Sequence, residues 1–252
     1  YENTCLFFIT DHGISHVRGK QFCYEEGMRI PMIVTGPRIK AGSVRDDLVV
    51  HIDMAASSLA LAGIPIPTTM QSVDLFAADY KPRDFIVSGR DRCDETVDHI
   101  RAVRTARFKY IRNYLPKRPY LQPNAYKDHK PVQIRMRELH TGGKLNRDQS
   151  LIMAATRPPE ELYDLEADPH ELHNLAGDAD NRKMFARVIR MRATLEKWVV
   201  STGDRGAKPE PAGMYNSDMQ VYLDTLKQRR PDRLKIIKAN IALMRKWAAE
   251  GK

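Results

Sequence analysis

The sequence is poor in cysteine and tryptophan, with three and two residues among 252, and it has no long apolar run. Three cysteines without CxxC spacing are too few for a disulfide framework and do not predict a structural zinc site. A membrane-spanning helix needs about 18 or more consecutive apolar residues, so none is predicted. The chain begins at Tyr1 without a basic and apolar leader. We therefore interpret it as a fragment or a processed chain.

The composition is biased toward positive charge. The chain carries 41 lysine and arginine residues against 32 aspartate and glutamate residues, which gives a net charge of +9. A basic surface attracts polyanions such as nucleic acids and sulfated glycans. The basic residues are dispersed and not interleaved with aromatic residues, which argues against nucleic acid. A solvated surface and an anionic carbohydrate partner both remain open.

An apolar segment at residues 4–10 ends directly in Asp11, His12 and Gly13, and Lys20 follows nine residues after the aspartate. The nearly continuous apolar side chains predict a buried strand in a sheet that is covered on both faces. Ligand sites of open α/β sheets lie at the carboxyl ends of strands. Aspartate and histidine can bind a divalent cation there, and lysine supplies a point charge for an anion. The pattern indicates chemistry on a metal-bound anionic group, although Asp-His-Gly alone is also typical of a turn.

We predict three parts, residues 1–80, 81–202 and 203–252. The first is an α/β unit with a helix at 53–62, capped by an aspartate and ended by a glycine. The second is a smaller antiparallel sheet with helices. Besides the opening segment, strands are predicted at 32–34, 85–87, 100–105, 107–112 and 161–165. The third is a linker followed by a terminal helix.

Two apolar stripes at helical spacing predict long helices near the end of the chain. They consist of Met184, Val188, Met191, Leu195 and Trp198, and of Leu234, Ile237, Ile241, Met244 and Ala248. Residues 113–150 are rich in proline, asparagine and basic residues. They predict an extended loop with a helix near 131–140, and residues 203–213 predict a linker.

Five groups of residues occur in the order that is found in one enzyme family. They are Thr10-Asp11-His12-Gly13 with Gly19-Lys20; residues 24–34; Val50-His51-Ile52-Asp53 with residues 59–64; residues 107–111; and residues 161–165 with Asp168-Pro169-His170-Glu171 and Asn174-Leu175-Ala176. Over about residues 4–200 the chain resembles the C-terminal half of type I sulfatases, the formylglycine-dependent members of the alkaline phosphatase superfamily. The short loop from Asp11 to Lys20 is similar to that of heparan N-sulfatase (sulfamidase)-like members. The basic segment 101–140 is similar to bacterial polysaccharide sulfatases.

The resemblance implies an α/β fold, made of the C-terminal part of an alkaline-phosphatase-like α/β sandwich plus a small antiparallel-sheet subdomain with helices. It also implies hydrolysis of sulfuric esters or sulfamates on sulfated carbohydrate by a periplasmic or secreted enzyme. Asp11 and His12 would bind one Ca²⁺. Lys20 and His12 would be catalytic, with the lysine holding the sulfate or the leaving oxygen. The other expected substrate contacts are His16, Arg18, His99 and Arg101.

The chain departs from the family pattern in its nucleophile. None of its cysteines or serines stands in a C/S-x-P-x-R sequence, where formylglycine forms, and the family's N-terminal aspartate pair has no counterpart. Because Ca²⁺ prefers about six or more oxygen ligands, we predict that the chain alone binds it weakly and is inactive without the missing N-terminal half. Two alternatives remain open: a phosphodiester or phosphonate hydrolase of the same superfamily, and a non-catalytic polyanion-binding module. No nucleic acid or membrane partner is expected.

Overall fold

The protein is described by a computed structural model that covers residues 2–178, 181–208 and 210–252. The strands are β1 (Leu6–Ile9), β2 (Met32–Thr35), β3 (Ile86–Cys93), β4 (Thr96–Arg104), β5 (Phe108–Asn113) and β6 (Glu160–Asp164). The helices are α1 (Glu25–Met28), α2 (Asp53–Leu61), α3 (Ala125–Asp128), α4 (Pro131–Thr141), α5 (Arg147–Leu151), α6 (Arg182–Thr202), α7 (Ala212–Arg229) and α8 (Leu234–Ala249), with a 3-10 turn at Pro231–Arg233. Within these ranges no helix combines the length and the apolar character that a membrane span requires.

The first sheet has two antiparallel strands, β1 and β2, with Leu6 opposite Thr35. The strand at the start of the chain was predicted correctly, but its burial on both faces was not. Leu6 and Phe8 are 55% and 59% exposed, and Ile33 on β2 is 62% exposed. In the described part of the chain β2 is the single strand paired with β1, so every second apolar side chain remains in solvent.

The second sheet has four antiparallel strands in the order β3-β4-β5-β6. The hairpin predicted around Ala106 is confirmed by the β4–β5 pair, in which Ala102 lies opposite Ile111. Consecutive residues of β4 and β5 are buried along most of each strand. Because strand side chains alternate between faces, the sheet buries both of its sides.

Helix α6 covers one face of this sheet. Val188, Met191 and Leu195 of the predicted stripe pack against Val103 and Tyr110, among others. The helix begins at an Asn181 cap and ends at Gly203, which has a φ of 65°. Such left-handed residues commonly end helices.

The opposite face is covered by the long loop between β1 and β2. Buried Phe22, Cys23 and Tyr24 of this loop pack against Ala102 and Ile111 of the sheet. The loop that carries Asp11 and Lys20 is therefore fixed to the four-stranded sheet, and the two parts of the chain share one core.

The end of the chain is more helical than predicted. Residues 113–150 contain α3, α4 and α5, and most of the expected extension after residue 203 is the helix pair α7–α8. The stripe on α8 is confirmed, because Ile237, Ile241 and Met244 are buried in a cluster with Tyr215 and Met219 of α7. Helix α7 was missed because it buries only three residues and carries exposed apolar side chains, such as Val221, among its polar ones.

Candidate active site

The loop after β1 folds back on itself at its glycines. The Gly13 amide donates to the Gly27 carbonyl at 3.0 Å, and the Lys20 amide donates to the Ile14 carbonyl at 2.9 Å. A Cβ on Gly13 would lie 1.8 Å from a carbonyl oxygen of α1, and a Cβ on Gly19 would lie 1.8 Å from the Ile14 oxygen. Real side chains do not tolerate such contacts, so only glycine fits at these two positions of the loop.

Asp11 and His12 form a pair at the end of β1. The His12 Nε2 atom lies 3.5 Å from Asp11 Oδ2, and the Asp11 side chain is 86% exposed. The His12 Nδ1 atom lies 2.7 Å from the Gly13 carbonyl oxygen. Because that oxygen can only accept, Nδ1 is the donor in this contact, and Nε2 is the ring nitrogen that faces Asp11. Metal-binding histidines commonly have this arrangement.

The pair fits a divalent cation as a partial set of ligands. Asp11 offers a hard carboxylate oxygen, and His12 offers its Nε2 atom. Among the described residues, no group of three or more His, Cys, Asp or Glu side chains is arranged to hold a metal ion.

Lys20 is half-buried and held by strained backbone. Its Nζ atom lies 4.7 Å from the ring centre of Tyr126. The next residue, Gln21, has a φ of 80°. Its backbone carbonyl accepts from Arg90 at 2.7 Å, and its side-chain Nε2 atom donates to Cys93 Sγ at 3.0 Å. A left-handed conformation in a non-glycine residue persists only where its surroundings enforce it. The contacts of Gln21 with Arg90 and Cys93 therefore fix the main chain next to Lys20.

Two other predicted substrate contacts, His16 and Arg18, lie on the same loop. Arg18 donates to the carbonyls of His170 and Glu171 at 2.7 and 2.9 Å, and it stacks 4.0 Å from the Tyr24 ring centre. These contacts tie the loop to the segment after β6. His16 is exposed. Substrate binding by these two residues stays a prediction, and for Arg18 the structure adds a structural role.

His99 and Arg101 lie on β4 and are each 4% exposed. The His99 Nδ1 atom lies 3.4 Å from Asp91, and burial lowers its pKa despite that carboxylate. Arg101 is paired with Asp91 and Asp204. By alternation they share the face of Val103, which packs on α6. Their contact with substrate stays a prediction, and the structure does not bring them together with Asp11 and Lys20.

A buried ionic cluster lies beneath the loop. The Lys109 ammonium, on β5, lies 2.7 Å from Glu25 and 2.9 Å from Glu171. Burial raises the pKa of Glu171. Burial also opposes ionisation of Glu25, but Lys109 and Arg104 hold the pKa of that carboxyl below its ordinary value. The cluster joins α1 to the four-stranded sheet.

Helix α3 and the residues just after it contact the loop through side chains that the sequence analysis did not single out. The Ser15 hydroxyl donates to the Tyr126 hydroxyl at 3.4 Å. Buried Lys127 donates to the His16 carbonyl at 3.0 Å, and Lys130 lies 4.8 Å from the Tyr126 ring centre. These contacts depend on tertiary packing, and no local pattern in residues 113–150 signals them.

The beginning of α3 is itself held by the end of the chain. The Glu95 Oε1 atom accepts from the Ala125 amide at 2.7 Å and from Asn240 of α8 at 2.8 Å. The Asn124 side chain caps α3 by accepting from the Lys127 amide at 3.2 Å. Tyr126 and Lys130 therefore extend from a firmly anchored turn.

Known proteins resemble the chain over this loop and its surroundings. A model of the C-terminal region of N-sulphoglucosamine sulphohydrolase matches residues 13–128, which include Lys20 and α3. The chain is 36% identical to an ulvan-active sulfatase of Formosa agariphila, over 83% of this chain and 35% of that protein. It is 26% identical to an N-acetylglucosamine-6-O-sulfatase of Bacteroides thetaiotaomicron, over 76% of this chain and 28% of that protein.

A solved structure agrees with the predicted fold. A protein described in complex with its substrate D-glucosamine-2-N,6-O-disulfate superposes with a TM-score of 0.58 at 22% identity, over 83% of this chain and 37% of that one. The resemblance and the fold class predicted from the sequence are confirmed. The chain is similar in sequence to sulfatases over most of its length, and it spans about a third of the length of the curated relatives that it matches.

Proposed function

We propose that this chain is the C-terminal part of an enzyme that hydrolyses sulfuric esters or sulfamates on sulfated carbohydrate. The observation that carries the proposal is the loop after β1, which bears Asp11, His12 and Lys20 and is closed by backbone hydrogen bonds at Gly13 and Lys20. The loop presents an exposed carboxylate, an imidazole and an ammonium group.

The carbohydrate substrate is proposed from the relatives. Their descriptions name ulvan, N-acetylglucosamine 6-O-sulfate and a disulfated glucosamine. The net charge of +9 suits a polyanionic substrate. As the family resemblance implies, we propose that the enzyme acts in the periplasm or outside the cell.

Asp11 and His12 would provide two ligands to one Ca²⁺, and the remaining ligands and a formylglycine nucleophile would come from another part of the protein. When bound, such a cation polarises a sulfate oxygen and favours a reactive nucleophile. The Lys20 ammonium faces the sulfate and stabilises the negative charge that builds up on its oxygens. The strained turn at Gln21 holds the lysine main chain in place, so little reorganisation is needed during the reaction.

The other part of the same protein is proposed as the partner of this chain. The chain has no C/S-x-P-x-R sequence, and the side chains of Leu6, Phe8 and Ile33 leave an apolar face of the first sheet exposed. An apolar face of this kind is typical of a surface that is covered in the assembled protein. Because it lacks the sequence in which the nucleophile forms, the chain alone would release no sulfate.

Sulfate release from sulfated monosaccharides by the full-length protein that contains this chain tests the proposal. Lys20→Met should lower kcat by about 100-fold or more, as expected for the loss of a group that stabilises transition-state charge. Lys144→Met, which removes an exposed lysine far along the chain, is the matched control and should leave the rate unchanged.

Three results would contradict the proposal. Release of phosphate but not sulfate from matched aryl esters would indicate a phosphodiester or phosphonate hydrolase. Heparin binding that survives Asp11→Ala and chelation, without any hydrolysis by the full-length protein, would indicate a polyanion-binding module. Full activity of Lys20→Met would remove the lysine from the site.

A further inference from the structure

Two ammonium groups approach one tyrosine ring at the edge of the candidate active site. Lys20 Nζ lies 4.7 Å and Lys130 Nζ 4.8 Å from the ring centre of Tyr126. The two charges are therefore no further apart than the sum of these distances. All three side chains are half-buried and in reach of solvent.

The positive charge at this place is not balanced by acidic side chains. In the parts of the chain that the structure describes, no carboxylate lies within salt-bridge distance of Lys20 or Lys130. The nearest carboxylate in sequence, Asp128, is occupied, since it accepts from Arg137 at 2.9 Å and from the Asn124 amide at 2.9 Å.

The positive charge of this cluster also contributes to the lowered pKa values of two neighbouring groups, Tyr126 and Lys127. The Ser15 hydrogen bond and the Lys20 charge lower the pKa of the Tyr126 hydroxyl. Burial is the main cause that lowers the pKa of Lys127 to about 7, and positive neighbours that include Lys130 and Lys20 add to it. An uncompensated cluster of like charges is unfavourable unless an anion binds to it.

The cluster is also held in place before any ligand arrives. Glu95 fixes the beginning of α3, and Lys127 joins α3 to the His16 carbonyl of the loop. Such preorganisation lowers the entropy that binding must overcome.

We infer that Tyr126 and Lys130, next to Lys20, form a subsite for a second anionic group of the carbohydrate, either another sulfate or a uronate carboxylate. The identity of the first group, the sulfate at Lys20, rests on the proposed function. Lys130 would pair with the second anion, and the Tyr126 hydroxyl would donate a hydrogen bond to it. The two ammonium groups are close enough for both to contact neighbouring anionic substituents of one sugar or of two linked sugars.

Binding of sulfated sugars to the 252-residue protein, measured by calorimetry or NMR at low ionic strength, tests the subsite. The probes are D-glucosamine 6-sulfate, D-glucosamine 2-N,6-O-disulfate, and a 6-sulfated glucosamine linked to a uronic acid. The wild-type protein should bind at least one doubly anionic probe about tenfold more tightly than the monosulfate, since charge-assisted hydrogen bonds are stronger than neutral ones. The probe that shows the gain identifies the second anion as sulfate or carboxylate.

Variants assign the gain to the subsite. Lys130→Met and Tyr126→Leu should each lower the affinity ratio between doubly and singly anionic probes by about threefold or more, because a partly exposed charge pair contributes modestly. Lys144→Met removes the same charge elsewhere and should preserve the ratio. Circular dichroism checks that each variant is folded.

Equal affinity of the wild-type protein for all three probes, or no binding of any, would overturn the inference. So would an affinity ratio that Lys130→Met and Lys144→Met change equally. Failure of the proposed function looks different: the ratio would still fall in Lys130→Met, while the full-length protein would release no sulfate. Sulfate release with an unchanged ratio would leave the proposed function standing and remove the subsite.

Discussion

Replacing Lys127 with methionine should flatten the rise in stability that is expected toward alkaline pH. The Lys127 side chain is buried against the loop, its ammonium donates to the His16 carbonyl, and it lies 4.9 Å from the ring centre of Phe22. Burial, reinforced by Arg90, lowers the pKa of Lys127 from 10.5 to about 7. Methionine keeps the length and most of the volume of the side chain and cannot take up a proton.

The direction of the effect follows from proton binding. Between pH 7 and 10.5 the unfolded chain holds a proton on Lys127 that the folded chain has lost, so stability rises with pH. Below that window both states are protonated and the full penalty of burying the charge is present. A full slope corresponds to about 1.4 kcal/mol per pH unit. Because the folded lysine is half protonated at the lower limit, the expected gain from pH 7 to pH 9 is about 2 kcal/mol.

Urea unfolding followed by far-UV circular dichroism at pH 7, 8 and 9 measures this gain. The free energy of unfolding of the wild-type protein, minus that of Lys127→Met, should grow by about 2 kcal/mol across the series. Other titrating groups cancel in the difference, including Cys23, whose pKa burial raises to about 11. Lys144→Met should parallel the wild-type protein. A difference that stays constant with pH would refute the reasoning, because it would show that the folded protein keeps Lys127 charged at no penalty.

Three further outcomes are expected. Gly13→Ala should destabilise the protein by about 1–3 kcal/mol in urea unfolding, since its Cβ would meet a carbonyl at 1.8 Å. Gly213→Ala, in open space on α7, should instead stabilise it by about 1 kcal/mol, and equal effects of the two changes would contradict this account. Arg157→Ala removes the 2.9 Å partner of the fully buried Asp98 but leaves Arg90 at 3.3 Å from the same carboxylate, so it should lower the free energy of unfolding by roughly 3 kcal/mol, the lower end for a broken buried pair; a loss below about 1 kcal/mol would count against a tightly coupled pair. Calorimetric titration of Ca²⁺ into the chain should show weak binding that Asp11→Asn abolishes, and submicromolar binding would contradict a partial ligand set.

Much of the fold follows from patterns that are local in sequence. The stripes on α6 and α8 and the β4–β5 hairpin were predictable because each element is amphipathic at the period of its own structure. The burial of β1 was not predictable, since a continuous apolar run has the same appearance whether one face or both are covered. Helix α7 has few buried residues, so its pattern resembles that of a solvated segment.

The candidate site divides in the same way. Asp11, Lys20 and the glycines between them stand close together in sequence, and their residue types alone suggested a metal and an anion. The contribution of α3 was hidden because Ser15 and Tyr126, which share a hydrogen bond, are 111 residues apart. Contacts over such a distance depend on how the sheet and the loop pack, and no residue pattern near Tyr126 records them.

The shared carboxylate of Glu95 has a practical consequence for anyone who shortens this protein. Removing the last helix takes away Asn240 and leaves Glu95, whose side chain is fully enclosed, with one donor fewer. The turn that bears Tyr126 depends on the same oxygen through the Ala125 amide. A truncated protein that still folds would therefore carry a looser ligand-facing edge, and a minimal version suited to binding work has to retain the polypeptide through α8.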